Sequence, residues 1–369
     1  MRNLKNILTS SKNTKNIQSR KGKSFGYQVL GFGSGGGGFS PIVASGGTIT
    51  TCGDYKIHVF TGPGTFCVSC AGSCTEADYI VQAGGGGGGR TAGAGAGGLR
   101  FSAGTYTAPC TSAPRAATGL TLCATAYPIS IGGGGTGTGV NPPIPIPVSY
   151  KPGKGVDSTF STITSAGGGA AYMTSGCVGS CGSHTNGGSG GGGVVGGACP
   201  RASDSGIGNS PPVSPIQGFS TTCNPGLTPN PEGAVYSIDG GGAGGNTDNL
   251  APEPTPRTGS AGLGFPTDIM KSCTGVPSPS PTIKFTGGGG GGGSHLNPST
   301  FTTAQHGGGN GGGATPGTPG ASTSGSAGTA NTGGGGGGAG GGGGRSGQPP
   351  QGGGGGGGSG LVIIRYQYQ

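Results

Sequence analysis

The sequence predicts an all-β chain in which strands from its two ends clamp a bundle of glycine-rich helices of the polyproline II type. Three observations lead there. Apolar residues alternate with polar ones at the period of a strand, and no stretch shows the stripe of an amphipathic α-helix. With 99 Gly and 29 Pro among 369 residues and only 29% hydrophobic residues, one conventional core through the whole chain is out of reach. The glycines also gather in runs, at 84–89, 287–293, 333–338 and 352–358. Collagen would place them at every third position, and disordered chains carry far more than the 8% charged residues found here.

Taken in order, residues 1–24 form a basic arm. Arg2, Lys5, Lys12, Lys15, Arg20, Lys21 and Lys23 lie there without a single acid, which leaves 12 of the 19 basic residues against 10 acidic ones in the body. The net charge of +9 is therefore local. Such an arm docks on an acidic surface or stays solvated, and no basic–aromatic pattern follows it to suggest nucleic acid. No apolar signal region follows the arm and no stretch approaches 18 apolar residues, so the expectation is assembly in a cytoplasm without membrane insertion.

A Gly-rich joint over 25–45 leads to a β-rich region over 46–131. Tyr55, Ile57 and Val59 alternate with Lys56 and His58; Thr61-Gly62-Pro63-Gly64 is a turn cluster; Phe66 and Val68 resume the alternation. This predicts a β-hairpin. Tyr79-Ile80-Val81 then runs almost straight into the glycines at 84–89, and Ile129 and Ile131 lead into glycines in the same way. Residues 132–358 alternate glycine runs with Thr, Ser, Pro and Asn, including Pro-dense extended loops such as Ser210-Pro211-Pro212. Residues 359–369 form a last strand, with Val362, Ile364, Tyr366 and Tyr368 on one face and Leu361 and Ile363 on the other. A terminal strand this apolar needs a sheet, and the comparable β-rich region lies near the other end, so the two ends meet.

A glycine-only helix with three residues per turn has no side chain on any face, so similar helices can surround it and accept its outward N–H groups. Ordering seven glycines costs roughly 7–14 kcal/mol of backbone entropy. Seven amide bonds return roughly 3.5–10 kcal/mol, and Cα–H contacts add roughly 3.5–7 kcal/mol. One run is near break-even, and many runs tied at their ends are stable collectively; the alternative is a set of flexible linkers. Uninterrupted runs suit the interior of such a bundle, and a run broken by alanine, as at 93–98, is expected on its surface.

The motifs Gly46-Gly47-Thr48-Ile49-Thr50-Thr51, Gly53-Asp54-Tyr55-Lys56-Ile57-His58-Val59-Phe60, Gly62-Pro63-Gly64-Thr65-Phe66 and Ala77-Asp78-Tyr79-Ile80-Val81-Gln82-Ala83, the last opening into poly-Gly, occur in this order. So do Tyr127-Pro128-Ile129-Ser130-Ile131, Phe160-Ser161-Thr162-Ile163-Thr164-Ser165 and Gly358-Ser359-Gly360-Leu361-Val362-Ile363-Ile364-Arg365-Tyr366. As a set, covering residues 46 to 369, they resemble the glycine-rich domain family found in structural proteins of tailed phages. The resemblance implies a small β-sandwich with a polyglycine II body. It also implies a place in a virion, as a tail-fibre or tail-tip adhesin with loops that attach to the host. The implied partners are other virion proteins of the tail or fibre and a bacterial surface glycan or outer-membrane protein. An oligomer, such as a trimer, is compatible; nucleic acid is not an expected partner.

The 11 cysteines depart from that family pattern. Cys67-x-x-Cys70-x-x-x-Cys74 and Cys177-x-x-x-Cys181 invite a zinc reading. The first group overlaps a strand and turn, and His184 is the one histidine near the second, so no metal is expected. Disulfides formed in an oxidising medium would staple a core-poor chain, with Cys52, Cys67, Cys70, Cys74, Cys177, Cys181 and Cys199 as candidates.

No cofactor and no catalysis are expected. His58, His184, His295 and His306 are scattered, Asp54, Glu76 and Asp78 sit in turn or strand contexts, and no Gly-x-x-x-x-Gly-Lys-Ser/Thr phosphate loop is present. Candidate receptor contacts are Phe219, Tyr236, Phe265, His295 and Phe301, aromatic or polar groups on segments between glycine runs. The competing functions are a purely structural fibre, collar or decoration protein of the virion and a cellular glycine-rich surface protein.

Overall fold

The computed structural model describes residues 40–73, 75–89, 92–102, 117–140, 151–171, 184–195, 206–220, 236–237, 265–267, 269, 283–285, 304, 307–313, 323–340 and 352–369. The basic arm, including Arg2, Lys5, Lys12, Lys15, Arg20, Lys21 and Lys23, lies outside the described residues. Strands β1 (Val43–Ser45), β2 (Thr48–Cys52), β3 (Tyr55–Phe60), β4 (Gly64–Cys70) and β5 (Glu76–Gln82) follow one another closely. Next come β6 (Leu99–Phe101), β7 (Leu120–Thr121), β8 (Ala126–Ser130), β9 (Ser158–Phe160) and β10 (Ile163–Ser165), separated by glycine runs and loops. Two short pairs follow, β11 (Val194–Val195) with β12 (Tyr236–Ser237) and β13 (Phe265–Thr267) with β14 (Ile283–Phe285), and β15 (Leu361–Gln367) comes last. No helix occurs among the described residues.

The strands form two antiparallel sheets facing each other as a β-sandwich. One runs β1-β4-β8-β9-β10 and the other β2-β3-β15-β5-β6, with β7 paired to β5. Between the sheets, Phe66, Val68, Tyr127, Ile129, Phe160 and Ile163 of the first meet Phe60, Tyr79, Val81, Val362, Ile364 and Tyr366 of the second. Their rings pack edge-on or tilted, with Phe66 5.0 Å from His58 and 6.1 Å from Phe160. The outer face of the second sheet is also covered: Ile57, Ile80, Leu99, Phe101, Leu361 and Ile363 pack with Cys52 and Ile269.

The last strand does return to the β-rich region that begins at β1. β15 inserts between β3 and β5, in the registers Ile364↔His58 and Ile364↔Tyr79. Its alternation divides as the sequence indicates, Val362, Ile364 and Tyr366 into the inter-sheet core and Leu361 and Ile363 into the outer cluster. Arg365 crosses to Asp78 on β5 with a 2.7 Å ion pair, and Ser102 donates to the same carboxylate.

Strands β3 and β4 are not a hairpin, which corrects the expectation from their spacing. β3 pairs with β2 and β15, and β4 with β1 and β8, so residues 61–63 form a corner from one sheet to the other. The reason lies in side-chain direction: Phe60 and Phe66, on either side of the turn, both enter the core between the sheets. The corner satisfies both, and β15, apolar on both faces, takes the place beside β3. The alternation is correspondingly inverted, with Ile57 and Val59 facing the outer cluster and His58 fully buried inside.

Beyond the sandwich the described glycine runs pack against one another through main-chain hydrogen bonds; the run at 287–293 lies outside the described residues. In the run at 84–89, Gly84 and Gly87 donate to Val156 and Gly153, Gly85 and Gly88 to Gly358 and Gly355, and Gly86 and Gly89 to Gly95 and Ala92, all at 2.8–3.1 Å. Their carbonyls accept from Gly168 and Ala171, from Gly135 and Thr138, and from Gly336 and Ala339, in the same order. Partners recur every third residue, and one run therefore touches six neighbouring segments, donating to three and accepting from the other three. The six also bond in sequence around it, for example Gly357 to Gly135, Gly355 to Gly337, Ala94 to Gly336, Gly95 to Gly169, Gly155 to Gly168 and Val156 to Gly133. Glycine is obligatory at the centre: a Cβ on Gly84, Gly85, Gly86, Gly87 or Gly88 would land on a carbonyl oxygen of an adjacent run, well inside 3.0 Å.

The segment at 132–140 lies at the bundle surface, where Gly133, Thr136 and Gly139 are exposed at every third position. The alanine-broken run does not, contrary to expectation. Ala92, Ala94 and Ala96 are fully buried, and Ala92 and Ala94 pack with Ala171. A methyl group fits inside the bundle where it meets other methyl groups instead of a carbonyl, so alanine marks positions between runs and not the outer surface.

Candidate functional site

The best-defined displayed segment is 206–220, an uncharged stretch rich in Gly, Ser and Pro. Its shape is set from within. The Asn209 side chain accepts from the N–H groups of Val213 and Gln217 at 3.2 Å and donates to the Val213 carbonyl at 3.1 Å, while Asn209 itself has a positive φ of 53°. Asparagine tolerates that conformation and closes turns through its side chain, which is why it serves here. Gln217, fully buried, anchors the segment to the bundle: its Oε1 accepts from Ala166 at 2.7 Å, its Nε2 donates to the Pro211 carbonyl, and its own carbonyl accepts from Leu99. Ile207 is held by the Asn186 side chain and Gly208 by the Ser220 hydroxyl. What this frame presents outward is apolar: Ile207 is 59% and Ile216 38% exposed, beside exposed Pro211 and Pro212.

Among the candidate contacts, Phe219 ends this segment, half-buried, with its carbonyl accepting from Gly190. Tyr236 lies in β12 opposite Val195, and Phe265 in β13 opposite Phe285. His295 and Phe301 lie outside the described residues. Sequence reasoning passed over Ile207, Asn209, Ile216 and Gln217; the available signal was the asparagine directly before Ser210-Pro211-Pro212, a turn-closing residue ahead of an extended loop.

Of the cysteines, Cys52 is disulfide-bonded, and Cys67, Cys70 and Cys123 are free, exposed thiols. Cys67 and Cys70 thus carry thiols where disulfides were among the expectations. Cys74, Cys177, Cys181 and Cys199 lie outside the described residues. Among the described residues, no group of three or more His, Cys, Asp or Glu side chains is arranged to hold a metal ion.

His58 is a polar residue fully buried between the sheets. Its Nδ1 lies 2.7 Å from the Gly46 carbonyl and donates to it, which leaves Nε2 to accept from the Tyr366 hydroxyl at 3.1 Å. Burial pushes its pKa below the usual histidine value; the Gly46 bond opposes this and nearby Lys56 adds to it. Below about pH 6.5 the unfolded chain binds a proton that the folded chain refuses. Stability is therefore expected to fall as the pH drops from about 6.5 toward the lower folded value. His184, shifted in the same direction chiefly by burial, contributes in the same window. Urea unfolding between pH 7.5 and 5 should show a smaller slope in His58→Gln, and an unchanged slope would show that His58 is not the titrating group.

A family model described as a glycine-rich domain matches residues 60–367, most of the chain. The chain belongs to the glycine-rich domain family. The match to this glycine-rich domain starts at the end of β3 and reaches the end of β15, so it spans both the sandwich and the glycine runs. No curated protein and no solved structure matches the chain.

Proposed function

We propose that this glycine-rich domain protein is a structural component of a phage virion, a tail-fibre or tail-tip adhesin. In this reading its glycine runs are polyglycine II helices packed into a stiff body, and loops between the runs meet a bacterial surface glycan or outer-membrane protein. The observation that carries the reading is the run at 84–89, whose hydrogen-bond partners recur every third residue among six neighbours. That recurrence suits a helix of three residues per turn, and a body tied in three directions resists bending far better than a flexible linker. The segment at 206–220 supports display, because its internal bonds order it before any partner arrives. The phage assignment is supported by the motif set that resembles structural proteins of tailed phages.

Fluorescently labelled protein is expected to decorate bacteria susceptible to a phage that encodes it and to slow adsorption of that phage. Immunogold labelling should place it at the tail tip or fibre. No decoration, with label elsewhere on the particle, would leave a purely structural collar, fibre or decoration protein. Detection on uninfected cells would point to a cellular surface protein.

A further inference from the structure

We propose that the groove between the segment at 132–138 and the run at 352–358 is a docking site for one extended, glycine-repeat segment of another polypeptide. The proposal rests on the packing of the glycine runs and is independent of the virion assignment. Hydrogen bonding around the central run at 84–89 follows one rule. Each glycine from 84 to 88 lies with its Cα against a carbonyl of one neighbour, and a single residue of a second neighbour accepts from that glycine's N–H and donates to that carbonyl. Gly84 lies against the Gly133 carbonyl, and Val156 accepts from Gly84 and donates to Gly133. Gly85 lies against the Gly334 carbonyl, and Gly358 joins those two in the same way. Gly86, Gly87 and Gly88 follow suit through Gly95, Gly153 and Gly355.

On the outer side of the bundle the same arrangement is only half made. The segment at 132–138 runs antiparallel to the run at 352–358 and accepts from it, Gly135 from Gly357 and Gly132 from Gly360. A Cβ on Gly134 would land on the Gly357 carbonyl oxygen and one on Gly137 on that of Gly354, the same approach as in the interior. Among the described residues, however, the N–H groups of Gly134 and Gly137 find no acceptor and the carbonyls of Gly354 and Gly357 no N–H donor. All four residues are partly exposed. The groove therefore has one wall of donors and one of acceptors, each repeating after three residues, or about 9 Å along an extended chain. Open main-chain groups in such rows take up a further segment as the edge of a sheet takes up a strand.

The segments that complete the pattern inside the bundle define the occupant. Its bonding residues recur at every third position, and each gives both its N–H and its C=O, so proline is excluded there. The residue just before each bonding one faces the walls and has to be compact. Before Val156, Gly355 and Gly358 stand Gly155, Gly354 and Gly357, where a Cβ would land on the carbonyl oxygens of Gly84, Gly88 and Gly85. Ala94 and Pro152 hold that place before Gly95 and Gly153, and no long side chain does. The remaining position is unrestricted, as exposed Lys154 shows. The fitting partner is thus an extended chain with glycine at every third residue.

Full-length protein titrated into a fluorescent peptide of repeated Gly-Ser-Pro is expected to raise its anisotropy along a saturable curve; serine supplies the bonding groups and proline favours the extended form. Repeated Leu-Ser-Pro, and the Gly-Ser-Pro peptide N-methylated at each serine, should not bind. Gly356→Ala tests the groove itself, because a Cβ there meets only the Gly135 oxygen at 3.4 Å and the Gly137 nitrogen, one of the open donors, at 4.0 Å. The variant should keep the parent's urea midpoint and bind the peptide at least about tenfold more weakly, as for the loss of one net hydrogen bond. Gly133→Ala, on the flank bonded to Val156, should bind as the parent does. A flat titration, binding of either control peptide, or unaltered affinity in Gly356→Ala would overturn the proposal. Self-association without peptide that Gly356→Ala abolishes would also overturn it, by making a second copy the occupant. Failure of the packed-run reading shows separately, as equal urea midpoints for Gly87→Ala and Gly133→Ala.

Discussion

Gly87→Ala is expected to destabilise the folded chain by about 3 kcal/mol, the upper part of the range for overpacking a tight interior. A Cβ at this position falls on the Thr136 carbonyl, which belongs to backbone and has no rotamer by which to retreat. Any movement of Thr136 would also strain its neighbours, since the same segment donates to Gly88 through Thr138 and accepts from Gly153 through Thr136. Gly133 is the matched control, because a Cβ there meets nothing within 4 Å and the residue is exposed. Gly133→Ala should be neutral or stabilise by about 0.4–1 kcal/mol, through the reduced freedom of the unfolded chain. Urea midpoints followed by tyrosine fluorescence, which the absence of Trp leaves unobscured, separate the two cases. Equal midpoints for the two variants would mean that the central run is not closely surrounded.

Loss of the last strand is expected to have a larger effect still. β15 sits in the middle of its sheet and is buried on both faces, with Leu361, Val362, Ile363, Ile364 and Tyr366 each at 3% exposure or less. Ile364→Ala alone should cost about 2–5 kcal/mol, as for other fully buried aliphatic residues. Removal of residues 361–369 strips the hydrogen-bonding partner from both β3 and β5, and exposes two apolar faces at once. The truncated chain should therefore aggregate or fail to give a cooperative transition by circular dichroism, while Gln367→Ala, at a half-buried position, should stay within about 0.5 kcal/mol of the parent. A truncated chain that unfolds cooperatively at the parent's midpoint would contradict the clamp between the two ends.

The strands that alternate strongly were legible in the sequence because burial on a sheet face imposes a period of two. Tyr79-Ile80-Val81 and Leu361 to Tyr366 follow that rule, and both are buried strands leading from or to glycine runs. His58 defied it, since a polar residue between apolar ones reads as outward-facing. Here the Gly46 carbonyl and the Tyr366 hydroxyl, 12 and 308 residues away, satisfy both ring nitrogens inside. The hairpin reading failed for the same reason: turn chemistry at 61–64 specifies a reversal but not which sheet receives the next strand. The loop at 206–220 was invisible as a displayed surface because its order comes from Asn209 and Gln217 bonding to atoms that pattern reasoning does not connect.

By itself the sequence indicated that the chain is built of strands, that its last strand returns to the β-rich region near the other end, and that uninterrupted glycine runs are able to pack side by side. These follow from local properties: the two-residue period, the apolar faces of a terminal strand, and the lack of any side chain. Only the tertiary structure decided which run sits at the centre, where the alanines go and which sheet each strand joins. Those choices depend on whether a given Cβ meets a carbonyl, a methyl group or solvent, and that is set by segments far away in the chain.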